Sequence, residues 1–559
     1  MSLKQQIRVF LVWLASVYML SMLNVAQAAE LALADAPLFL GSQVSPNIFF
    51  MLDDSGSMDW EIITPKYQYY LNYWRAGEEV APVMDGNFSG YANVGDCTGR
   101  DSYYYIFDRS LNTDNVYTDR CELEGSPEVA VRDWRIRNSS LNVMYYNPAT
   151  TYSPWPGFSD ADFTFARSNP QPGTAGYSVT RQLEEFSYDV WVDNLGYDND
   201  SLGDNVDGPS SVTDGANGIV DLWDSHTTYT VKSSAVDVET LTTNFAGVDG
   251  SPDCDLTDAQ DSPQYVSCYG TARATSSLSG AAVDPWGRTV SEIQQNVANW
   301  YQYHRRRSFV MKGAVAEVLT NGASNNRFGL SVLNDYADLF RELPLAAVPV
   351  ADFPAHNEAI LQAIYDYEIT AQGTPLRRSL ERVGRYYSNY YTSDYTDPIT
   401  SSCQQNFSVL FTDGYWSGSD PYTAAIADED GDGDSDTLAD VAHYFYNTDL
   451  SPLADVVPPT QIDPNNKQHM VSFTVAFGVE GALVDSDNDG WPNPILLESG
   501  AWNDGNVNTD PEKIDDLWHA AFNSKGTFIS SKTPDAVAVA ITGAVQAVAD
   551  RVGSGASVA

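Results

Sequence analysis

The stretch Asn47–Trp60, NIFFMLDDSGSMDW, combines a short apolar run with an abrupt change to acidic and hydroxyl residues. The apolar run, Ile48–Leu52, is typical of a buried strand in a parallel sheet, although its periodicity alone leaves a short helix open. Asp53, Ser55 and Ser57 follow at alternate positions. Ligands of open α/β sheets lie outside the carboxyl ends of the strands, and Mg²⁺ prefers hard oxygen atoms, so these residues predict a metal site. The alternative is an ordinary turn of Ser, Asp and Gly.

Further strands and helices alternate along the chain after this stretch. Apolar runs predict these strands: Arg327–Asn334, Leu339–Leu345, Asn406–Phe411, Val471–Phe477 and an edge strand at Gly526–Ser530. Apolar spacing of three and four residues, with start signals, predicts these helices: Thr289–Leu319, His356–Ile369, Thr374–Tyr391, Thr437–Tyr446 and one that begins at Thr533. Strands that alternate with helices predict an α/β fold with a doubly wound, mainly parallel sheet.

Two of these helices carry additional signals. Thr289 and Glu292 predict a capping box at the start of the first helix. Three consecutive arginines, Arg305–Arg307, lie within that helix, and we expect two of them to be solvated because arginine is rarely buried. Thr374 is the predicted N-cap of the third helix, with Pro375 at the first helical position.

The composition describes a packed but strongly acidic protein. A chain of 559 residues predicts about three or four domains, and a hydrophobic content of 43% is ample for a core. A net charge of −45 argues against nucleic-acid binding, because phosphate backbones would be repelled. The acidity suits divalent cations and an extracellular protein, but solubility in a salty habitat explains it as well.

Residues 1–28 have the three regions of a signal peptide. Lys4 and Arg8 precede the apolar stretch Phe10–Leu23, and Ala26–Ala28 offers a small-residue cleavage site. Removal of the two basic residues would change the net charge from −45 to −47. An uncleaved anchor is the alternative, but the apolar stretch is short for a span. We therefore expect export, with no stable membrane span after cleavage.

Residues 61–284 differ in composition from the sequence that follows them. They are rich in Tyr, Trp, Asn, Asp, Gly and Ser and have few periodic runs, so we interpret them as one large, partly β insertion. The cysteines of this insertion are Cys97, Cys121, Cys254 and Cys268. Export permits disulfides, and proximity favours pairing the first two and the last two, although connectivity is not deducible from sequence. Cys403 is then a buried thiol or a partner for something outside the chain.

Two later segments also place oxygen ligands at breaks between elements. Thr374 lies at the Gly-Thr-Pro start of a helix, where Gly373 would let the backbone approach closely, and Asp413 follows the strand Asn406–Phe411. With the first turn, they offer hydroxyls and carboxylates for one octahedral ion, whose open position would accept a carboxylate from a partner. The predicted metal ligands are Asp53, Ser55, Ser57, Thr374 and Asp413.

This set of five residues resembles the metal-ion-dependent adhesion site of von Willebrand factor A domains. The resemblance implies Mg²⁺ (or Mn²⁺) as the ion, with the three hydroxyl residues as direct ligands and the two aspartates ligating directly or through water. The chain departs from a simple A domain by its insertion after Trp60. The helix that normally follows the motif would then be Thr289–Leu319.

The architecture is similar to the N-terminal half of the PilC/PilY family, the tip-associated adhesins of bacterial type IV pili. The matching segments are Asp221–Ser225, Asn299–Tyr301, Gly373–Leu376, Leu438–Ala442 and Asp515–Ala521. In that family a β-propeller follows the A domain. We therefore expect a signal peptide at 1–28, a split A-like domain at 29–60 and 285–551, the insertion at 61–284, and a flexible tail at 552–559 where the chain would be truncated before a propeller.

An acidic loop supplies a second candidate metal site. The aspartates at positions 1, 3, 5, 7 and 9 of a calcium-loop pattern are Asp428, Asp430, Asp432, Asp434 and Asp436. Gly433 takes position 6, but position 12 is Ala439, and Asp440 comes one residue late, so the loop is not a full EF-hand. The predicted helix after the loop favours a one-helix, dockerin-like Ca²⁺ site. The alternative is a solvated acidic loop.

The resemblance implies a secreted adhesin and pilus assembly and retraction factor, located between the periplasm and the cell surface or pilus tip of a bacterium. Its partners would be minor pilus subunits, a host ligand or a surface ligand, bound through the metal. The alternative is a structural subunit, at the pilus tip or bound to minor pilins, whose metal only stabilises the fold. No nucleophile–base pair accompanies the ligands in the sequence, so we expect no enzyme; a metal-dependent hydrolase is the remaining alternative.

Overall fold

The computed structural model describes the chain in segments from residue 44 onward. The described residues are 44–63, 103–107, 115–117, 121–122, 137–140, 142–192, 225–242, 272–321, 326–334, 346–347, 355–393, 395–418, 421–423, 426–479, 481–486, 492, 502 and 510–558. The predicted signal peptide, the predicted strand Leu339–Leu345 and Cys97, Cys254 and Cys268 lie outside them, and of Cys121 only the backbone is described. Within these segments, no helix has the length and apolar character needed to cross a membrane.

The described elements are strands, α-helices and one short 3-10 helix at Gly56–Asp59. The strands are β1 (Asn47–Leu52), β2 (Tyr103–Tyr105), β3 (Cys121–Glu122), β4 (Ala166–Arg167), β5 (Thr180–Arg181), β6 (Phe186–Val192), β7 (Ser225–Val231), β8 (Ala235–Thr242), β9 (Ala272–Ser279), β10 (Arg327–Val332), β11 (Ala346–Ala347), β12 (Asn406–Thr412), β13 (Met470–Phe477) and β14 (Phe528–Ser531). The helices are α1 (Val290–Tyr303), α2 (Arg307–Asn321), α3 (Ala355–Asp366), α4 (Leu376–Tyr387), α5 (Leu438–Asn447), α6 (Asp510–Asn523) and α7 (Pro534–Val558).

A six-stranded sheet in the order β11-β10-β1-β12-β13-β14 organises the described chain. Its strands run parallel except for the short edge strand β11. The central strand β1 is buried throughout. Ile48, Phe50 and Leu52 belong to the hydrophobic core on one face, whereas Phe49 and Met51 belong to the core on the other. The predicted α/β fold with a mainly parallel sheet is therefore confirmed.

Helices cover both faces of this sheet. The core on one face includes Val315 of α2 and Ile541 of α7, and the core on the other includes Leu380 of α4 and Leu517 of α6. Because the parallel strands end at one edge of the sheet, the loops after β1, β10, β12 and β13 collect at that edge. This edge is where the sequence predicts the metal ligands.

Between β1 and β10 the chain adds a four-stranded antiparallel sheet, β6-β7-β8-β9, so the predicted partly β insertion is confirmed. Three amide side chains of α1 accept backbone hydrogen bonds from this part of the chain: Asn296 from Tyr152, Asn299 from Ala161 and Gln302 from Arg167. Trp300 of α1 packs against Tyr145 and Phe186 and donates to Met144 O at 3.0 Å. The α1 helix is therefore a surface on which the insertion packs.

Two helices, α1 and α2, replace the single predicted helix Thr289–Leu319, although the predicted capping box at its start is confirmed. The chain leaves helical geometry at His304–Arg306. Arg305 turns back at this break, and its Nη1 donates to Tyr301 O at 2.9 Å. That bond satisfies one of the carbonyl groups that the end of a helix leaves without a partner.

Two helix ends also differ from the predictions. Helix α4 begins at Leu376, and its N-cap is Pro375 rather than Thr374. Thr374 therefore lies one residue further outside the helix than predicted. Helix α7 continues through Val558, which corrects the expectation of a flexible tail from residue 552. Cys403, expected as a buried thiol or an external partner, is a half-buried free cysteine.

Candidate metal site

The carboxylate of Asp53 is buried at the carboxyl end of β1. Its Oδ1 accepts a hydrogen bond from Ser55 N at 2.8 Å, and its Oδ2 accepts one from the Thr412 hydroxyl at 2.6 Å. Asp53 N donates to Phe411 O at 3.1 Å, so the pairing of β1 with β12 continues one residue beyond β1. The register of the sheet therefore fixes the orientation of this carboxylate.

Ser55, Ser57 and Asp413 form a hydrogen-bonded chain beside it. The Oγ atoms of Ser55 and Ser57 are 3.2 Å apart, and Ser57 Oγ donates to Asp413 Oδ1 at 2.9 Å. Asp413 follows β12 directly, so adjacent strands bring the two carboxylates to the same edge. Ser57 is half-buried, whereas Ser55 and Asp413 are buried. Four of the five predicted ligands thus form one connected group.

The loop that carries Thr374 is bonded to both other segments. Gly56 N donates to Gln372 O at 3.1 Å, Thr374 N donates to Ser417 Oγ at 3.0 Å, and Ser417 N donates to Thr374 O at 2.9 Å. A Cβ on Gly373 would lie 2.5 Å from Ser417 Oγ, so glycine permits this approach. The structure therefore holds the buried Thr374 between the motif loop and the segment that follows β12.

The charge of this group needs compensation. Burial raises the pKa of the Asp53 carboxyl to about 7, and the negative charge of Asp413 contributes in the same direction. A raised pKa means that the charged form is disfavoured where it lies. A divalent cation would supply positive charge there, and the available donors are carboxylate and hydroxyl oxygen atoms, which Mg²⁺ prefers. The residues present therefore fit the predicted ion.

The three consecutive arginines are buried near this site, which corrects the expectation that two of them are solvated. Arg305, Arg306 and Arg307 are all buried. Their ion pairs are Arg305 with Glu61 at 3.0 Å, Arg306 with Asp59 at 2.6 Å, and Arg307 with Asp413 at 2.8 Å. Buried charges are found paired because burial costs a charge its hydration free energy, and only a partner in the protein offsets that cost. Sequence reasoning therefore missed a cation that contacts a predicted metal ligand.

The helical pattern in the sequence did not indicate that these arginines are buried. Successive residues of a helix point about 100° apart, so on one continuous helix Arg306 would lie opposite the predicted core positions His304 and Ser308. Arg305 and Arg307 would lie about 80° from that core direction, at the flanks of the apolar face. The structure departs from this pattern because helical geometry is interrupted at His304–Arg306.

The insertion packs directly on the motif loop. Tyr105 donates its hydroxyl hydrogen to Asp59 Oδ2 at 2.7 Å, and Val116 N donates to the same oxygen at 2.9 Å. A Cβ on Gly56 would overlap the hydroxyl of Tyr117. Because Gly56 lies between Ser55 and Ser57 in the chain, residues 115–117 border the approach to the candidate metal site.

The acidic loop brings together part of its predicted ligand set. Ligand oxygen atoms of Asp428, Asp430 and Asp440 lie within 4.8 Å of one another. A second group of possible metal ligands at this loop consists of Asp430, Asp432 and His519, and neither group includes Asp434 or Asp436. Asp440 Oδ2 also accepts from Thr437 N at 2.9 Å in the capping box of α5, so this aspartate has a structural role as well.

His519 of α6 is a further member that the sequence pattern did not include. Its Nε2 lies 3.4 Å from Asp430 Oδ2, and its Nδ1 lies 4.0 Å from Asp432 Oδ2. Asn523, one turn later on α6, donates to Asp430 Oδ2 at 2.6 Å. Burial raises the pKa of Asp430 and lowers the pKa of His519, so neither group is favoured in its charged form there. Local spacing in the sequence could not find His519 because it comes from another helix.

Comparison with known proteins gives a consistent set of relatives. Three curated proteins named type IV pilus biogenesis factor PilY1, from Pseudomonas aeruginosa, match the chain. The protein of strain UCBPP-PA14 is 24% identical over 573 residues, covering 94% of this chain and 40% of the relative. That of strain PAO1 is 25% identical, covering 92% and 39%, and that of strain PAK is 27% identical, covering 50% and 27%. The chain thus spans about 40% of the length of the first two relatives.

No protein-family model matches the chain. The crystal structure of the pilus adhesin SpaC from Lactobacillus rhamnosus GG is 10% identical, covers 59% of this chain and 34% of SpaC, and has a TM-score of 0.24, which is too low to bear on the fold. The curated relatives are therefore the informative comparison, since two of them match more than nine-tenths of the chain under one name. These matches, at 24–27% identity, support a relationship of this chain to the PilY family.

Proposed function

We propose that this protein works with the type IV pilus at the bacterial cell surface, as an adhesin and biogenesis factor that binds a partner through a divalent cation. The observation that carries the proposal is the hydrogen-bonded group of Asp53, Ser55, Ser57 and Asp413 at one edge of the sheet, to which backbone hydrogen bonds join the loop of Thr374. The name shared by the relatives supports the pilus association. In this proposal the sheet and its helices form a von Willebrand factor A-like domain.

Each residue has a defined task in this proposal. Ser55, Ser57 and Thr374 supply hydroxyl oxygen atoms, while Asp53 and Asp413 supply negative charge directly or through water. Bound Mg²⁺ or Mn²⁺ would supply a positive charge with an open position for a partner's carboxylate. The hydrogen bonds of Asp53 to Ser55 N and the Thr412 hydroxyl keep its carboxylate in place before any ion arrives.

The partner would approach from the side of Ser57. Ser57 is the half-buried member of the five, and the others are buried. Tyr117 lies against Gly56 next to this approach, so the insertion would shape which partners fit. A minor pilus subunit, a host ligand or a surface ligand that presents an acidic side chain meets the requirement.

The decisive experiment measures cation and partner binding together. Mg²⁺ is titrated calorimetrically into chelator-treated protein, and capture of purified minor pilins from the same bacterium is measured with Mg²⁺ and with EDTA. We expect Asp53→Ala and Thr374→Ala to lose both signals, and the control Asp550→Ala, an exposed aspartate of α7, to keep both. Capture that survives EDTA and both site variants would refute a metal-dependent contact.

A structural role is the second candidate, and one observation favours it. Asp53 is bonded to Thr412 of β12, and Asp413 to Arg307 of α2, so the site residues also join elements of the fold. In this case the ion would only stabilise the sheet edge. Site variants would then lose thermal stability and pilus assembly in parallel, with no separate loss of partner binding in variants that remain folded.

We also propose Ca²⁺ as the ligand of the acidic loop at residues 428–440. The proximity of Asp428, Asp430 and Asp440 supports it. A rise in melting temperature with Ca²⁺, absent in Asp430→Asn, is the expected result. An equal rise in the variant would contradict the site.

A further inference from the structure

Arg307 places a fixed positive charge inside the candidate metal site. Its Nη1 donates to Asp413 Oδ2 at 2.8 Å, and its Nη2 donates to Ile62 O at 2.7 Å. The side chains of Arg307 and Asp413 are 4% and 0% exposed. Ser57 binds the other oxygen of the same carboxylate. Both oxygens of Asp413 are therefore held, one by a hydroxyl and one by a guanidinium.

The backbone and the ring next to it fix Arg307 in this position. Arg307 N donates to Trp60 O at 3.2 Å, and its guanidinium carbon lies 5.1 Å from the centre of the Trp60 ring. Arg307 begins α2, directly after the break at His304–Arg306, so it is not carried on a continuous helix with α1. The guanidinium is a built part of the site rather than a mobile surface cation.

The charges of the site can be counted. Asp53 and Asp413 contribute two negative charges when ionised, and Arg307 contributes one positive charge, so the buried group carries −1 before any ion binds. A cation that is already present reduces the attraction for a second one at short range, and the effect is large where water is excluded. The same cation makes the two buried carboxylates tolerable when no divalent ion is bound.

We propose that Arg307 is a built-in counter-ion of the metal site, which keeps the site folded without metal and lowers its affinity for divalent cations. This inference rests on the proposed metal site and adds a regulation of it. It means that the site does not depend on metal to keep its shape and fills only where divalent cations are plentiful. Arg307 acts through Asp413 and is a positioning residue, not a ligand.

The test compares Arg307→Gln with Arg306→Gln. Arg306 is the neighbouring buried arginine, but it pairs with Asp59 rather than with a predicted metal ligand. In chelator, we expect both variants to melt below the wild type. In a Mg²⁺ titration, Arg307→Gln should bind about tenfold more tightly than the wild type, whereas Arg306→Gln should keep the wild-type affinity. Unchanged or weaker Mg²⁺ binding by Arg307→Gln would overturn the proposal.

A second pair of variants tests the counter-ion without any metal. If Arg307→Gln alone melts too low to titrate, the double variant Arg307→Gln/Asp413→Asn removes both charges and should regain most of the lost melting temperature in EDTA. A double variant no more stable than Arg307→Gln would show that the charge of Asp413 is not what Arg307 compensates. Absence of Mg²⁺ binding by the wild type would instead refute the metal site. The melting temperatures measured in EDTA would still test whether Arg307 compensates the charge of Asp413.

Discussion

The ion pair of Arg305 with Glu61 is expected to be a major support of the segment that follows the metal motif. The two side chains are 3.0 Å apart and 0% exposed. Arg305→Met removes the guanidinium and leaves the Glu61 carboxylate buried. The carboxylate would retain hydrogen bonds from Ile106 N at 2.8 Å and Phe107 N at 3.2 Å, and a longer ion pair with Arg306 Nε at 3.6 Å, but would lose its nearest counter-charge. An incompletely compensated buried charge is the cause of the expected loss.

The magnitude follows from the distance. At an effective dielectric constant of about 20, two unit charges about 3 Å apart attract each other by about 5 kcal/mol. Removing one partner of a buried pair costs about 3–5 kcal/mol in measured cases. The double variant Arg305→Met/Glu61→Gln removes both charges of this pair, and Arg306 keeps its ion pair with Asp59, so we expect it to recover at least half of that loss. The two amide donors to Glu61 Oε2 can still find an oxygen acceptor in glutamine.

Urea unfolding followed by tryptophan fluorescence measures these differences as shifts of the transition midpoint. The matched control is Lys232→Met, which breaks an ion pair of 2.8 Å with Asp237 whose side chains are 38% and 48% exposed. We expect little change there because solvent screens exposed pairs. An Arg305→Met midpoint equal to that of the wild type, or a double variant less stable than Arg305→Met, would refute the reasoning.

Two further predictions concern the motif itself. Gly56→Ala should lower the free energy of unfolding by about 1–3 kcal/mol, because the added Cβ overlaps the side chain of Tyr117. Adding Tyr117→Ala should relieve this overlap, so a Gly56→Ala/Tyr117→Ala double variant that melts as low as Gly56→Ala contradicts the contact. The pKa of Asp53 is about 7 in the folded chain, against an ordinary 3.8, so the folded state holds the proton more tightly. As pH rises from 5 to 8 in EDTA, the wild type should therefore lose stability relative to Asp53→Asn. Melting curves of the two proteins that shift in parallel would exclude this linkage.

The sheet could be predicted because its strands carry their own signals. β1, β12 and β13 are mostly apolar strands of six to eight residues, buried throughout, as expected of strands covered on both faces. The metal motif followed from the same reasoning, because Asp53 and Asp413 each come directly after such a run. Local sequence patterns were enough to predict these residues, because the place of each residue along its strand determines where it lies in the sheet.

The arginine pairs and His519 could not be predicted in the same way. Arg307 meets Asp413 across 106 residues, and His519 meets Asp430 across 89, so no local spacing relates the partners. The break between α1 and α2 could not be predicted because the three- and four-residue spacing continues through it, from Tyr301 through His304 to Ser308. Tertiary ion pairs, rather than helix propensity, determine the conformation at this point.

The position of β1 has a mechanical consequence. β1 is paired in parallel along all six of its residues with β10 on one side and β12 on the other. A pull on the chain before Asn47, against a fixed C-terminal part, loads both ladders of hydrogen bonds in shear. The hydrogen bonds of the two ladders must then break together rather than one after another. The resistance to force depends on the rate of this unfolding step rather than on equilibrium stability. Because the metal motif begins where β1 ends, tension reaches Asp53 only after both ladders have given way.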